Sequence, residues 1–258
     1  MRQQKPMRSA ALLALTLAIP STSKAQTEPP PPQWSIVTTS QIRPEFRAEF
    51  ETGQKEITAA YKKAGVPYRV VVQTVFGDVM EYTAVSPLAK YADMDGPSPL
   101  VKALGEVGSQ RLLKRVGGTL VSVRRVGLMA LDDISIRTAG DPGEYVHVMT
   151  FHLRPGKGND FTAFMKDDYL PALRKADVAN AWLNMPVFGG DTNDRVMVVF
   201  MHKLAEIDAG PPTRKALGAE GARRLGAKQA DIVASVSHTV GHVRTDLSAM
   251  PAPPKSTD

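Results

Sequence analysis

The chain has no cysteine among its 258 residues. No disulfide can hold the fold and no thiol can serve as nucleophile, metal ligand or lipid acceptor, so stability must come from buried apolar surface. Beyond the first 25 residues no stretch approaches 18 uninterrupted apolar residues, so no later segment reads as a membrane span. There is no G-x-S-x-G elbow, no Walker-type phosphate loop and no dinucleotide-binding fingerprint. Asp93-Met94-Asp95-Gly96 opens like a calcium loop, but Leu104 stands where the bidentate glutamate belongs, which excludes that reading.

A large excess of one charge is missing as well. Arg2, Lys5 and Arg8 precede an apolar stretch from Ala10 to Ile19, which Pro20 ends. Ser23-Lys24-Ala25 then offers small residues at the −3 and −1 positions of a cleavage site. Residues 1–25 are therefore expected to be a secretory signal, its apolar part too short to span a bilayer. The mature protein is expected in the periplasm or outside the cell, free of the membrane. The signal holds four of the 32 Lys and Arg and none of the 26 Asp and Glu, so its removal lowers the formal charge from +6 to about +2. The remaining basic pairs, Lys114-Arg115, Arg124-Arg125 and Arg223-Arg224, are scattered and lack interleaved aromatics. A nucleic-acid partner is not expected.

What the chain does have is a repeat. Ile42-Arg43-Pro44 returns as Leu153-Arg154-Pro155, Val75-Phe76-Gly77 as Val187-Phe188-Gly189, and Lys102-Ala103-Leu104-Gly105 intact as Lys215-Ala216-Leu217-Gly218. Gly108, Arg111 and Leu112 recur as Gly221, Arg224 and Leu225, and Asp133-Ile134-Ser135 as Asp246-Leu247-Ser248. The offset stays between 111 and 113 residues, a period of domain size. The expected organisation is a Pro-rich leader over 26–33, one repeat over 34–137, a turn-rich linker over 138–144, a second repeat over 145–248 and a polar tail over 249–258.

Within each repeat the periodicity alternates in one order. Short β-branched segments (Trp34 to Ser40, Tyr145 to His152) lead through Arg-Pro into a helix marked by Phe46, Phe50, Ile57 and Tyr61, or by Phe161, Met165, Tyr169 and Leu173. A hairpin follows, turning at Gly77-Asp78 or Gly189-Gly190-Asp191, then a second helix and a last strand. The pattern is βαββαβ twice, the ferredoxin-like split βαβ order, which makes the fold class α+β. One such sheet covers a single face with helices. Two copies can bury their bare faces together as a pseudo-twofold α/β barrel, making the chain a monomeric pseudo-dimer or the unit of a homo-oligomer. Pro186 fits an edge strand of its repeat.

Thr150-Phe151-His152-Leu153-Arg154-Pro155-Gly156-Lys157, with Phe161, Phe164 and Tyr169-Leu170-Pro171-Ala172-Leu173, resembles the opening strand and helix of the dimeric α/β barrel superfamily, above all its NIPSNAP-like and antibiotic-biosynthesis-monooxygenase-like branches. The first repeat departs from it, with Pro44-Glu45-Phe46 where Pro155-Gly156-Lys157 stands. The resemblance implies a barrel with a cavity. Its members include cofactor-independent monooxygenases, haem-binding and haem-degrading enzymes, dehydratases and proteins without known activity, so it does not imply one reaction.

Five histidines fall in predicted strands: His147, His152, His202, His238 and His242. On a strand, His238 and His242 lie about 13 Å apart, too far to share one metal, so no metal site is expected. They do share a sheet face, and the repeat offset maps Arg125 onto His238 and Met129 onto His242. If that face lines the barrel, Arg125, His238, His242 and the aromatic Trp182 are the candidate ligand-binding residues of a mostly apolar cavity. The expected partner is a small, largely apolar molecule, with cofactor-independent oxygenase chemistry as the natural extension. The alternatives are a non-catalytic interaction module with a filled barrel, or a haem protein. Haem needs one axial histidine, which any of the five could supply, and there is no C-x-x-C-H for covalent attachment. No other cofactor is expected.

Overall fold

A computed structural model describes residues 33–138 and 143–250. The expected signal over 1–25, nearly all of the leader, the middle of the linker and the tail from residue 251 lie outside the described residues. The first half runs β1 (Trp34–Ile42), α1 (Arg47–Lys63), β2 (Val70–Phe76), β3 (Glu81–Leu88), α2 (Pro99–Gly117) and β4 (Leu120–Ala130). The second runs β5 (Tyr145–Leu153), α3 (Gly158–Phe164), α4 (Leu170–Lys175), β6 (Ala181–Phe188), β7 (Asp194–Met201), α5 (Pro212–Ile232) and β8 (Val233–Val243). The predicted α+β order is present in both halves.

Local chemistry explains the elements. Ser98 caps α2 by accepting a hydrogen bond from the Val101 amide, and Pro99 begins the helix where no donor is needed. The repeated Lys-Ala-Leu-Gly places a kink in both second helices: Gly105 and Gly218 have φ of 70° and 69°, a conformation that other residues rarely adopt. A π-helical turn, Met165–Tyr169, joins α3 to α4. Pro171 has no amide hydrogen to give the carbonyl four residues back, and the wider turn accommodates that defect.

The eight strands close into a barrel in the order β1-β3-β2-β8-β5-β7-β6-β4, every neighbour antiparallel. Each half contributes four contiguous strands in ferredoxin-like order, and the halves join at two seams, β2 with β8 and β4 with β6. With β1 and β5 four strands apart in an alternating ring, both point the same way, so the pseudo-twofold lies along the barrel axis. The symmetry extends to irregularities. The β1–β4 and β5–β8 ladders slip at Gln41/Ile42 and His152/Leu153, and the two seams slip at Thr74/Phe76 and at Gly127/Leu128, where Pro186 sits.

The repeated Asp-[Ile/Leu]-Ser motif is a reciprocal clasp. After β4 the chain crosses to the other half, where Ile134, 2% exposed, enters the core formed by β5, β6, α3, α4 and α5. After β8 the chain does the converse, and Leu247, 0% exposed, enters the core beneath α1 and α2. Ser135 Oγ accepts from the Leu183 amide at 2.9 Å and Ser248 Oγ from the Val71 amide at 2.8 Å, each across the seam. Bridges Ile136 to Ala181 and Arg69 to Ala249 continue both crossings.

The seams differ in chemistry. At β2–β8, Arg244 donates to both carboxylate oxygens of Glu51 and to Gln73, while Tyr82 and Arg47 also donate to Glu51. The positions related by the repeat at β4–β6 are Leu131, Thr162 and Met185 for Arg244, Glu51 and Gln73, and Arg195 and Gly158 for Tyr82 and Arg47. Hydrogen bonds from Arg244, and then from Tyr82 and Arg47, hold the Glu51 carboxyl down at about 2 against an ordinary 4.5.

Two outcomes are expected. Leu247→Ala loses about 2–5 kcal/mol in urea unfolding, because removing its fully buried side chain leaves a cavity in the opposite core. In acid, unfolded Glu51 binds a proton before folded Glu51 does, so its contribution is full above about pH 4.5 and falls away toward about pH 2. Glu51→Gln should flatten that part of a stability–pH curve measured by chemical denaturation.

Candidate functional site

Alternation decides which side chains can meet a ligand. Met149, Phe151 and Leu153 of β5 pack against the helices, so Val146, Val148, Thr150 and His152 point into the barrel. Across the ladders Thr150 faces Val196, Val148 faces Val198 and Val198 faces Trp182, which puts all of them on the inner wall. Where helices cover the outer face it is tightly sealed: Ile42, Val71, Tyr82, Phe151, Leu183 and Met197 are at most 2% exposed. The inner face is mixed: Val37, Val72, Val85, Val126, Val148 and Val198 keep partial exposure, while Val146, Thr74 and Leu128 are buried. Its middle is built largely of short β-branched side chains, and toward the end where β1 and β5 begin Trp182 packs on Phe200 at 4.5 Å.

The opposite end is polar. Gln41, Glu81 and Ser122 line one level of it from the first half, and His152, Asp194 and Ser235 the matching level from the second, with Arg124 one step further along the wall opposite Thr39. Burial, and then the nearby Asp78, push the Glu81 carboxyl upward. His152 Nδ1 lies 2.7 Å from Asp194 Oδ1. Here the two seams are also unpaired. β6 pairs with β4 only from Gly127 to Ala130, and β2 with β8 only from Val240 to Val243, so Leu120–Val126 and Val233–Thr239 have no strand on that side. Arg124 ties the β6–β7 turn across the first slot by donating to the Gly189 carbonyl at 2.9 Å.

Of the four residues singled out in the sequence, Trp182 lies in the lumen, its indole N–H donating to Asn180 at 3.3 Å and its ring beneath the Arg137 guanidinium at 4.6 Å. The other three do not. His238 stands opposite Met149, His242 opposite Tyr145 and Arg125 opposite Thr38, which puts them on the outer face. The inward placement of that face is corrected here: the cores bury Met149 and Ile42 against the helices, and the partners across each ladder must follow. His238 instead meets His147, Nδ1 to Nε2 at 3.0 Å with rings stacked, and burial followed by His238 lowers the His147 pKa. His242 packs on Tyr145 with ring centroids 5.0 Å apart and the planes tilted by 46°. His202 lies one residue past β7, and no group of three metal-ligating side chains occurs among the described residues.

Repeat logic hides the His152–Asp194 pair, because the first half has Gln41 and Glu81 there and the β5–β7 register joins residues 42 or more apart in sequence. Outside the barrel, two adjoining clefts of about 380 and 520 Å³ separate α3 and α4 from α5. Their floor is bridged by the Lys228–Asp168 ion pair at 2.7 Å.

No family model matches the chain, and no curated protein matches it in sequence. Solved structures do match in fold. A monooxygenase-designated protein from Lactobacillus acidophilus NCFM superposes with a TM-score of 0.57 at 8% identity, over 86% of this chain and 97% of its own. An anthrone oxidase-like protein gives 0.57 at 13%, over 82% and 91%. A variant chlorite dismutase from Candidatus Nitrospira defluvii gives 0.51 at 9%, over 83% and 92%. At these identities the likeness establishes the ferredoxin-like α/β barrel these proteins share, and it carries no chemistry across. No described helix is long and apolar enough to cross a membrane.

Cysteine substitution tests the faces in a chain that has no other thiol. A thiol replacing Val198 should react with methyl methanethiosulfonate in the native protein at least about tenfold faster than one replacing the adjacent Met197.

Proposed function

We propose that the mature chain is exported and holds a small, largely apolar molecule in the lumen between its two four-stranded sheets. The observation that carries this reading is the contrast between the two faces of each strand. Helix-facing residues are sealed, while inner-wall valines on six of the eight strands retain accessible surface. Eight strands enclose just enough room either to be filled by side chains or to hold one small ligand. Many inner-wall side chains are short valines, serines and threonines, which supports the open barrel over an interaction module with a packed interior. Small-molecule chemistry of the antibiotic-biosynthesis-monooxygenase-like or NIPSNAP-like kind fits such a chamber.

Haem is a second reading, favoured by one observation. His238 is exposed, its Nε2 has no partner among the described residues, and the 61% exposed Phe76 sits beside it opposite Val240. An imidazole next to bare apolar surface is what an axial ligand requires.

The two readings separate in one set of variants. N-phenyl-1-naphthylamine should fluoresce on binding the wild type, and Val148→Phe or Val198→Phe should weaken it about tenfold by filling the lumen, with His238→Ala unchanged. Haem that gives a Soret band lost in His238→Ala and kept in Val198→Phe would select the second reading. A probe that ignores all the lumen substitutions overturns the first.

A further inference from the structure

We propose that His152 accepts a proton from the lumen ligand, with Asp194 as its positioning residue, so that the ligand is an apolar molecule carrying one weakly acidic group such as a phenol or enol. This inference rests on the lumen reading and deepens it.

Asp194, His152 and Ser235 stand at one level on three adjacent strands, all directed inward. An ionised carboxylate only accepts hydrogen bonds, so the 2.7 Å contact puts the proton of a neutral imidazole on Nδ1 and the lone pair on Nε2. Nε2 has no partner among the described residues. The Asp194 side chain is 17% exposed and the His152 side chain 42%, so the carboxylate is the fixed member and the imidazole the one that meets the ligand.

The wall dictates how a ligand would lie. Below His152 on the same face come Thr150, with Val196 and Ser237 beside it, and then Val148 with Val198. Two such steps span about 13 Å, roughly the length of a two- to three-ring molecule. An apolar body among the valines leaves its polar end at Nε2. The proton of the ligand O–H then moves to Nε2, the bonding pair stays on the ligand oxygen, and Asp194 stabilises the imidazolium formed. Nothing is oxidised. The first half cannot do this: Gln41 occupies the corresponding place, its amide donating to Asp78 at 2.8 Å. A mouth with one base accepts its ligand in one orientation, despite the twofold barrel. If the pair were only a half-exposed ion pair, it would be worth little and nothing bound would feel it.

The test uses 4-nitrophenol, whose anion absorbs visible light, and 4-nitroanisole, which has no acidic proton, with binding followed by calorimetry. On the wild type, bound 4-nitrophenol should ionise about one pH unit below the free compound, a tenfold shift. His152→Gln should bind 4-nitroanisole like the wild type and abolish the shift. Asp194→Asn should reduce it, with the His152 ring proton redistributed from Nδ1 to Nε2 in nitrogen NMR spectra. Binding of both compounds with equal ionisation in wild type and His152→Gln overturns the proton acceptor and leaves the lumen standing. Binding of neither compound overturns both.

Discussion

The barrel depends on two short arms that change sides. Eight strands can close only if the halves stay in register at both seams, and each seam has just four paired positions. So few ladder bonds would open readily in water. What holds them is apolar burial by the arm that follows, Ile134 in one direction and Leu247 in the other, each carrying a serine that caps an amide across the seam. Because each core contains a residue from the other half, neither half can complete its interior alone. Folding of the two modules is thereby coupled, and a pseudo-dimer becomes one cooperative unit.

That coupling leaves the inner wall free of a structural task. In a ferredoxin-like sheet without a partner, the bare face must be buried by something. Here ladder closure and the arms supply the cohesion, so the inner face need not be packed with large side chains. It is built instead from valine, threonine and serine, with Trp182 and Phe200 at one end and ionisable groups at the other. The same division explains why the seams could diverge. One is polar, through Arg244, Glu51, Tyr82 and Gln73, and the other is closed around Leu131 and Met185. Either chemistry satisfies a seam whose position the arms have already set.

The element order was legible because hydrophobic periodicity and turn residues are local, and because every element occurs twice. The second repeat of Lys-Ala-Leu-Gly carried real structural content, since both glycines turn out to be left-handed kinks. Faces were less legible. Both sides of a barrel strand are semi-apolar, so Val236 and Val240 around His238 look alike whether they face helices or lumen, and only the long-range ladder to Met149 decides. Trp182 was identifiable by its size and strand context. His152 was visible only as one strand histidine among others, because Asp194 reaches it through a register that no local spacing encodes.

Duplication also bears on why the polar mouth is lopsided. A strictly symmetric barrel presents two equivalent sides of one mouth, and a ligand could bind in either of two orientations related by the axis. Replacing Gln41 by a histidine at the matching place in the second half, and Glu81 by the shorter Asp194, breaks that degeneracy at a single level of the wall. Glutamate at Asp194 would carry its carboxylate one methylene further and past the 2.7 Å contact with Nδ1 unless the backbone moved. The asymmetry is therefore matched in length across the two strands, as a hydrogen-bonded pair has to be and a scattered set of surface charges does not.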